Sequence, residues 1–521
     1  MKKKTAHREK PIRKEGTKIL FLNPSQYGQG CIPLNIALLI SIAKNHGHEV
    51  RLFNCNDYEI FNASIASYER MFFKEAAFDQ EKIVYNREQF YGNKYGIEVR
   101  ELALKKSDYR KDFLLLVQQH KPDIIAVSCM TTDFNIAKRI LEPVKKKYKI
   151  PVVFGGIHAI LNPESILYSN VCDYVCIGEG ESSFIRLLEA LMRKASLESV
   201  KGIWFKKRKQ IMKNPPERLA NLDDLPYLNF EYFDPIHFYR PFHGQRYKML
   251  NYSISRGCVF NCTYCVNGTL RGKYKDLGNY FRFRSVARAI KELKFLRDKY
   301  DFNFVRFWDE DFTSLSLAYM REFAEMYKKE IALPFLIYAR VDTVTEQKIK
   351  VLKAIDCRAF AMGIESGNEF IRTKVMGRFI SNQKIIDIFR LVKSYGVKTS
   401  AYNIIGVPFE TRETVFDTIR LNKKSNPDSF SVAFLEPYRG TPIRQLCEAE
   451  GFSLSIDAGF RHEPQFVPRA MSAAELKGLF RTFALYVRFP ETRYGDIKRA
   501  ETNRKAYKKL QNEFDGLKLS T

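Results

Sequence analysis

The sequence predicts an α/β protein: a doubly wound, Rossmann-like parallel sheet, then a partial barrel of six parallel strands, then a helical C-terminal segment. Short apolar and β-branched runs alternate with helical segments from residue 18 to about residue 191, which is typical of parallel sheets. A second alternating series begins at residue 248, and residues after 451 carry apolar side chains at helical spacing. We place the boundaries at 1–17 (basic tail), 18–200 (first domain), 201–247 (hairpin and linker), 248–445 (barrel) and 446–521 (C-terminal helical region).

In the first domain, strands are predicted at 18–23, 48–53, 123–128, 151–154 and 174–177, with helices at 35–45, 109–120 and 135–148. A long polar and aromatic insertion at about 57–101 interrupts this alternation. Ligands of parallel sheets bind at the carboxyl ends of the strands, so the loops there should line one rim. The candidate binding residues in these loops are Pro24, Ser128, Gly155, Gly156, His158, Gly178 and Glu179.

The barrel strands are predicted near 249–254, 304–308, 335–338, 359–364, 399–405 and 429–434. The first of them leads into a loop with three closely spaced cysteines, Cys258, Cys262 and Cys265. In barrels of this kind the carboxyl ends of the strands carry the chemistry, so the loop lies where an active site is expected. Six parallel strands predict a barrel that is open at one side.

The three cysteines indicate a metal site, because thiolates are soft ligands that suit iron–sulfur clusters or zinc. A structural zinc site needs four protein ligands, and the next cysteine after the loop is Cys357. A site with three cysteines would leave one iron of a four-iron cluster open to another ligand. The favoured interpretation is therefore a four-iron cluster, and a zinc or purely structural site is the alternative.

The C-x3-C-x2-C loop has an aromatic residue, Tyr264, just before its third cysteine, and it resembles the loop of radical S-adenosylmethionine (SAM) enzymes. The resemblance extends from about residue 248 to 442, through the turns at 406–411 and 437–442, although Arg439 stands where the family often has proline. It implies cluster ligation by the three cysteines and SAM contacts by other residues. Those residues are Tyr264, Asp309, Glu310, Arg340, Glu365, Ser366 and Ile405.

The resemblance assigns a chemical role to several of these side chains. Asp309 and Glu310 would receive the ammonium group of SAM, since charge-assisted hydrogen bonds are strong in a shielded site. Arg340 would hold the methionine carboxylate through paired donors. Glu365 and Ser366 would approach the methionyl and ribose parts of SAM. The alternative for Asp309 and Glu310 is a solvated acidic turn, and the alternative for Arg340 is a surface salt bridge.

The rim loops of the first domain, taken in order, resemble the cobalamin-binding domain found ahead of many radical SAM barrels. None of the eight histidines has Asp two residues before it, so the Asp-x-His-x-x-Gly signature of histidine-ligated cobalamin is missing. The resemblance therefore implies cobalamin bound without a protein histidine on cobalt. His158 would form a hydrogen bond near the corrin, and an ordinary loop histidine is the alternative.

Composition limits the location and the partners. The chain has 521 residues and a charged start without an apolar stretch, and no apolar run approaches the roughly 18 residues of a membrane span. Ten cysteines without a secretion signal indicate a reducing compartment, so we expect a cytoplasmic protein. Peripheral membrane contact through the basic C-terminal region stays open. The net charge of +27 favours an anionic partner, unless it is simply spread over solvated helix faces.

The resemblance implies a reaction in which a reduced cluster cleaves SAM, and the resulting deoxyadenosyl radical abstracts hydrogen from an unreactive position. With cobalamin present, the favoured function is methyl transfer to an unactivated carbon or to phosphorus. Cyclisation, rearrangement or oxidation on the same architecture is one alternative, and an iron–sulfur protein associated with nucleic acid is another, less favoured one. The expected partners are a small-molecule or biosynthetic-intermediate substrate and an electron donor such as flavodoxin or ferredoxin.

Overall fold

A computed structural model describes residues 16–25, 32–58, 105–242, 245–454 and 464–519. The basic tail and the insertion expected at 57–101 lie almost entirely outside the described residues. The chain forms two compact units. Of the described residues, the first contains 16–25, 32–58, 105–220 and 224–234, and the second contains 221–223, 235–242, 245–454 and 464–519.

The first unit is built on a seven-stranded sheet with the order β2-β1-β3-β4-β5-β6-β7. Its strands are β1 (Lys18–Asn23), β2 (Glu49–Asn54), β3 (Ile124–Ser128), β4 (Val152–Gly155), β5 (Tyr174–Cys176), β6 (Ile203–Lys207) and β7 (Gln210–Lys213). Its helices are α1 (Leu34–Asn45), α2 (Tyr109–His120), α3 (Phe134–Lys147), α4 (Ile157–Leu161), α5 (Pro163–Tyr168) and α6 (Gly180–Arg193).

Strands β1 to β5 run parallel, which confirms the doubly wound sheet. Residues 19–22 of β1 are all buried, because a central parallel strand is covered on both faces. The hairpin β6–β7, which the sequence places in the linker, continues the sheet instead, since β6 pairs antiparallel with β5. Without β6, β5 would be the edge strand of this sheet, and the pairing satisfies its backbone N–H and C=O groups.

The second unit contains a seven-stranded sheet with the order β16-β15-β14-β13-β12-β9-β8. Its strands are β8 (Tyr239–Phe242), β9 (Gln245–Tyr252), β12 (Phe304–Phe307), β13 (Phe335–Ala339), β14 (Cys357–Glu365), β15 (Lys398–Ile405) and β16 (Ser429–Phe434), beside the short pair β10 (Ser255–Arg256) and β11 (Arg282–Phe283). Its helices are α7 (Val266–Lys273), α8 (Val286–Tyr300), α9 (Leu317–Glu330), α10 (Glu346–Lys353), α11 (Asn382–Ser394), α12 (Arg412–Ser425), α13 (Pro442–Ala449), α14 (Ala473–Arg488), α15 (Tyr494–Ala500) and α16 (Arg504–Leu519).

The six strands from β9 to β16 are parallel, which confirms the partial barrel. Burial alternates along β15: Thr399, Ala401 and Asn403 are buried, whereas Ser400 and Tyr402 are half-buried. The buried set faces the helices, so the half-buried set lines the concave face of the barrel. This alternation lets us identify which residues face the barrel interior.

The C-terminal helices pack on the end of the sheet at β16 and on α12. Phe480 of α14 stacks on Phe434 of β16, with ring centroids 4.3 Å apart. Arg412 of α12 is ion-paired with Glu475 at 3.2 Å and with Glu501 at 2.6 Å. The predicted helical region is thus part of the fold of the second unit. Among the helices in the described ranges, none combines the length and the apolar character that a membrane crossing needs.

Candidate metal centre and cofactor sites

The cysteine loop leaves the barrel just after β9 and β10 and ends at α7. Its first turn requires glycine: Gly257 has φ +83°, and a Cβ added there would lie 2.3 Å from the carbonyl oxygen of Tyr280. A side chain is excluded on both counts, since the left-handed conformation and the contact each disfavour it. The loop therefore follows the backbone of the segment before β11.

The middle of the loop is fixed by backbone contacts from distant segments. The Thr263 N–H donates to the carbonyl of Met376 at 3.0 Å, and its hydroxyl donates to the carbonyl of Val375 at 2.6 Å. The Ile443 N–H at the start of α13 donates to the Thr263 carbonyl at 3.1 Å. These three bonds hold the stretch between the second and third cysteines without using any thiol.

The three thiols all belong to this loop, with Cys262 buried and the other two half-buried. Within the described parts of the chain, no three His, Cys, Asp or Glu side chains converge tightly enough to hold one metal ion. Burial raises the pKa of Cys258 to about 11 and also raises that of Cys265, so metal binding must release their protons.

Arg340, which follows β13, lies directly against the loop. Its Nη1 donates to the Sγ of Cys262 at 3.0 Å, and its guanidinium lies 3.7 Å from the ring centroid of Phe260. Its Nε and Nη2 donate to the two carboxylate oxygens of Asp342 at 2.9 and 2.6 Å. The sequence assigns this guanidinium to the methionine carboxylate, whereas its bonds here join Cys262 and Asp342.

A second hydrogen-bond donor, a side-chain amide, reaches the last cysteine of the loop. Asn267, buried in α7, places its Nδ2 3.5 Å from the Sγ of Cys265 and accepts a hydrogen bond from the Tyr280 hydroxyl at 2.7 Å. Hydrogen bonds to cysteine sulfurs tune the reduction potential of iron–sulfur clusters. Arg340 and Asn267 therefore provide the polar surroundings that a cluster at this loop requires.

The two acidic residues after β12 take different positions. Asp309 is buried, and its Oδ1 accepts the Ser255 N–H at 2.6 Å and the Ser255 hydroxyl at 2.5 Å. Burial raises its pKa to about 6, and the bonds from Ser255 oppose that rise. Asp309 thus holds the entrance of the loop, which differs from the ammonium contact that the sequence assigns to it.

Glu310 remains exposed, yet loss of hydration raises its pKa and a hydrogen bond from Asn267 opposes the rise. The two observations agree if the carboxylate lines a recess that is enclosed by protein but still reachable. Burial is the main cause of the raised pKa values of Cys258 and Cys265, and the negative charge of Glu310 is a further cause. Glu310 therefore lies near both thiols. Of the acidic pair, Glu310 is the carboxylate placed to meet a ligand beside the thiols.

Tyr264 forms a buried polar triad with Glu365 and Arg378. Its hydroxyl donates to Glu365 Oε1 at 3.1 Å, and Arg378 Nη1 donates to the same oxygen at 3.0 Å. Arg378 also donates from Nη2 to the Gly363 carbonyl at 3.0 Å. Burial raises the pKa of Glu365, although the positive charge of Arg378 opposes it. The triad joins the cysteine loop to the carboxyl end of β14.

Two further residues expected at the SAM site lie in packed surroundings. Ser366 is fully buried, and its hydroxyl accepts the N–H of Asn368 at 3.3 Å. The Ile405 side chain is fully buried in the apolar cluster that includes Phe434 and Leu479.

The rim of the sheet in the first unit presents small residues. The Ser128 hydroxyl accepts a hydrogen bond from Asn35 Nδ2 at 2.5 Å, and Ser128 is next to Gly155 in the strand register. A Cβ added at Gly155 or Gly178 would meet nothing closer than 3.9 Å, so neighbouring atoms do not crowd either position. Small residues at strand ends leave space for a flat macrocycle, so this rim fits cobalamin.

The remaining rim residues pack or form hydrogen bonds within the first unit. Gly156 has φ +89°, and a Cβ there would lie 2.8 Å from backbone atoms of Cys129. His158 is buried, with its Nδ1 3.2 Å from the Thr131 hydroxyl and its ring 4.8 Å from that of Phe134. Pro24 is buried, and Glu179 Oε2 accepts the Ala220 N–H at 3.0 Å. His158 thus packs inside the first unit, against Thr131 and Phe134.

Sequence reasoning missed three residues that contact the loop or its partners: Arg378, Asn267 and Asp342. Asn267 lies two residues after the third cysteine, and that proximity was the available signal. The sequence carries no such signal for Arg378 or Asp342, because their contacts depend on how the ends of separate strands meet.

Two family models match the chain. Residues 252–421 match the Radical SAM superfamily, and residues 90–188 match the B12 binding domain. The first match contains the cysteine loop and four of the six parallel barrel strands, β12 to β15, and the second covers β3 to β5 with the rim glycines. This half barrel with its three-cysteine loop defines a radical SAM enzyme. More particularly, the chain belongs to the radical SAM enzymes that carry a cobalamin-binding domain, and its cofactors are a 4Fe-4S cluster, SAM and cobalamin.

Individual proteins resemble the chain over most of its length. An uncharacterised methyltransferase of Pyrococcus horikoshii is 28% identical over 349 residues, which is 66% of this chain and 74% of that protein. An anaerobic magnesium-protoporphyrin IX monomethyl ester cyclase of Rubrivivax gelatinosus is 24% identical over 385 residues, covering 71% and 66% of the two chains. The structure of the radical SAM methyltransferase TsrM of Kitasatospora setae, with cobalamin and a 4Fe-4S cluster bound, matches with a TM-score of 0.64 at 14% identity. That match covers 96% of this chain and all of TsrM.

Proposed function

We propose that this enzyme is a cobalamin-dependent radical SAM methyltransferase that acts on an unactivated carbon or on phosphorus. The observation that carries the proposal is the pairing of two features in one chain. One is a three-cysteine loop at the rim of a half barrel, with the reachable carboxylate of Glu310 beside it. The other is a B12-binding domain with a glycine-lined rim.

The chain's own residues would hold and shield the cofactors. Cys258, Cys262 and Cys265 would ligate three irons, and Arg340 would donate a hydrogen bond to the second of these sulfurs. Glu310 would receive the ammonium group of SAM, because it is the exposed member of the acidic pair that follows β12. When bound, the cluster supplies the electron that cleaves SAM, and cobalamin supplies the methyl group for transfer.

For cobalamin, the rim of the first unit supports binding through backbone and small side chains. Gly155, Gly178 and Ser128 leave room for close approach, whereas the imidazole of His158 packs against Phe134 and Thr131. We therefore infer that cobalamin binds with its nucleotide base displaced and without a protein nitrogen on cobalt.

The test is anaerobic reconstitution with iron, sulfide and hydroxocobalamin, followed by a strong one-electron reductant such as dithionite and by SAM labelled in its methyl group. We expect deoxyadenosine formation, retained cobalamin, and labelled methylcobalamin recovered from the protein. The cobalt(II) paramagnetic spectrum should lack nitrogen splitting. A chain that makes deoxyadenosine but retains no cobalamin would contradict the methyltransferase proposal.

A second function is favoured by one specific observation, the similarity to a ring-forming cyclase. On the same architecture, a substrate radical could close a ring or be oxidised without receiving a methyl group. Product mass separates the two functions, because methyl transfer adds one methylene unit and cyclisation does not. Either reaction requires an external one-electron donor.

A further inference from the structure

A group of large side chains faces the concave side of the half barrel, on β12, β13 and β15 and just past the end of β12. We call Arg306, Trp308, Tyr338 and Tyr402 the lumen cluster. The guanidinium of Arg306 lies 4.0 Å from the ring centroid of Trp308 and 5.3 Å from that of Tyr338. The Trp308 and Tyr338 rings meet edge to face at 5.0 Å, and Tyr338 stacks with Tyr402 at 6.0 Å.

Strand alternation places this cluster on the interior face. Phe307 and Ala339 are buried against the helices, so Arg306 and Tyr338, one residue before each, face the opposite side of the sheet. Arg340 is two residues after Tyr338 on that same side, and it donates to the sulfur of Cys262. Successive residues on one face are about 7 Å apart along a strand. The lumen cluster therefore begins about 7 Å along β13 from Arg340, the residue that contacts the loop cysteine Cys262.

The strand between the two tyrosines explains how they meet. In the register, Tyr338 is beside Ala361 of β14, and Gly363 of β14 is beside Tyr402. Small side chains on β14 leave the space above it open, so the two rings approach across an entire strand. On the far side of Tyr402, its neighbour in β16 is Ser431, which is exposed. The lumen cluster therefore borders open space instead of filling a core.

Trp308 shows that this surface is not ordinary packing. It lies between the buried residues Phe307 and Asp309, yet it is 40% exposed. A large aromatic side chain beside an active-site loop, held by a guanidinium on one ring face, is a preorganised stacking surface. Such surfaces bind planar π-systems with little loss of conformational freedom.

We propose that the lumen cluster binds the substrate, and that the substrate is a planar aromatic molecule carrying an acidic group. Its ring stacks on Trp308 and Tyr402, and its acidic group is drawn to the permanent charge of Arg306. The net charge of +27 favours the same class of ligand. This inference rests on the proposed radical SAM function, because it assigns the substrate of that site.

The test uses equilibrium dialysis of the reconstituted holoenzyme against three probes: indole-3-acetate, cyclohexaneacetate and uncharged indole. We expect indole-3-acetate to bind about 10-fold more tightly than cyclohexaneacetate, since stacking on an aromatic side chain contributes about 1–3 kcal/mol. Trp308→Leu and Tyr402→Leu should each weaken indole-3-acetate binding by about 10-fold. Arg306→Gln should reduce the preference for indole-3-acetate over indole.

Trp204→Phe is the matched control, because the other tryptophan of the chain lies in the first unit, with its Nε1 donating to the Asn214 carbonyl. It should bind all three probes as the unchanged enzyme does. Equal affinity for indole-3-acetate and cyclohexaneacetate in the unchanged enzyme would overturn the proposal even if a variant failed to fold. So would full indole-3-acetate affinity in both leucine variants.

The same samples separate this inference from the proposed function. Deoxyadenosine formation and cobalamin retention report on the radical SAM chemistry, whereas probe binding reports on the lumen cluster. An enzyme that cleaves SAM normally but does not prefer the aromatic probe would refute only the substrate class. An enzyme that prefers the aromatic probe but never cleaves SAM would refute the reaction.

Discussion

Gly257→Ala offers the sharpest test of the cluster loop. The left-handed backbone at φ +83° costs a residue with a side chain about 1–2 kcal/mol. The new methyl group would also lie 2.3 Å from the Tyr280 carbonyl oxygen, and overpacking of this kind costs about 1–3 kcal/mol. The two effects together give about 2–5 kcal/mol. Relief would require the loop to move away from the segment before β11, which displaces Cys258.

The assay is iron and sulfide content after anaerobic reconstitution, together with the thermal unfolding midpoint. Gly257→Ala should lose most of its cluster and unfold at a lower temperature. Gly272→Ala is the matched control: it lies in α7, has no left-handed backbone, and a Cβ there would meet nothing within 4 Å. It should keep its cluster and its stability, since alanine favours helix. A fully loaded Gly257→Ala protein with an unchanged midpoint would refute the reasoning.

Three other predictions concern residues outside that turn. Glu310→Gln should weaken SAM binding, measured by equilibrium dialysis, without lowering the iron content, and unchanged SAM affinity would contradict the role given to Glu310. Asp309→Asn should lower the iron content instead, because the Asp309 carboxylate holds Ser255 at the entrance of the cysteine loop. Burial raises the pKa of Glu410 to about 8, so the folded state binds the extra proton between pH 4.5 and 8, and the free energy of unfolding falls as pH rises through that window. Glu410→Gln should remove this fall in urea titrations at pH 5 and pH 8, and an identical pH dependence in both proteins would disprove it. Arg412→Ala should destabilise the protein by about 3 kcal/mol in chemical denaturation, because it removes the guanidinium from the buried carboxylate of Glu501, which keeps the hydrogen bond from the Tyr486 hydroxyl. Arg420→Ala, whose ion pairs are largely exposed, should cost less than about 1 kcal/mol. Equal losses would show that the Arg412 pair contributes little.

Much of the fold could be predicted from the sequence. The first strand was predicted at 18–23 and is found there, and all six parallel barrel strands occur within a few residues of their predicted positions. Such patterns are local: alternation of apolar residues and the turn residues between them specify a strand or helix over a few residues. The three cysteines are likewise a local signal, because their spacing alone indicates a shared metal centre. The hairpin β6–β7 was also recognised, but its place on the first sheet was not.

The tertiary structure decided which side chain does what at the site. Asp309 and Glu310 are neighbours of the same chemical type, yet one is bonded to Ser255, 54 residues away, and the other stays reachable. The bond from Arg340 to Cys262 spans 78 residues. Such contacts arise because the carboxyl ends of parallel strands meet at one rim, whatever their separation along the chain. The sequence by itself determined the cluster loop and the strands that carry it, and the packing of the strand ends determined the partners of each polar group.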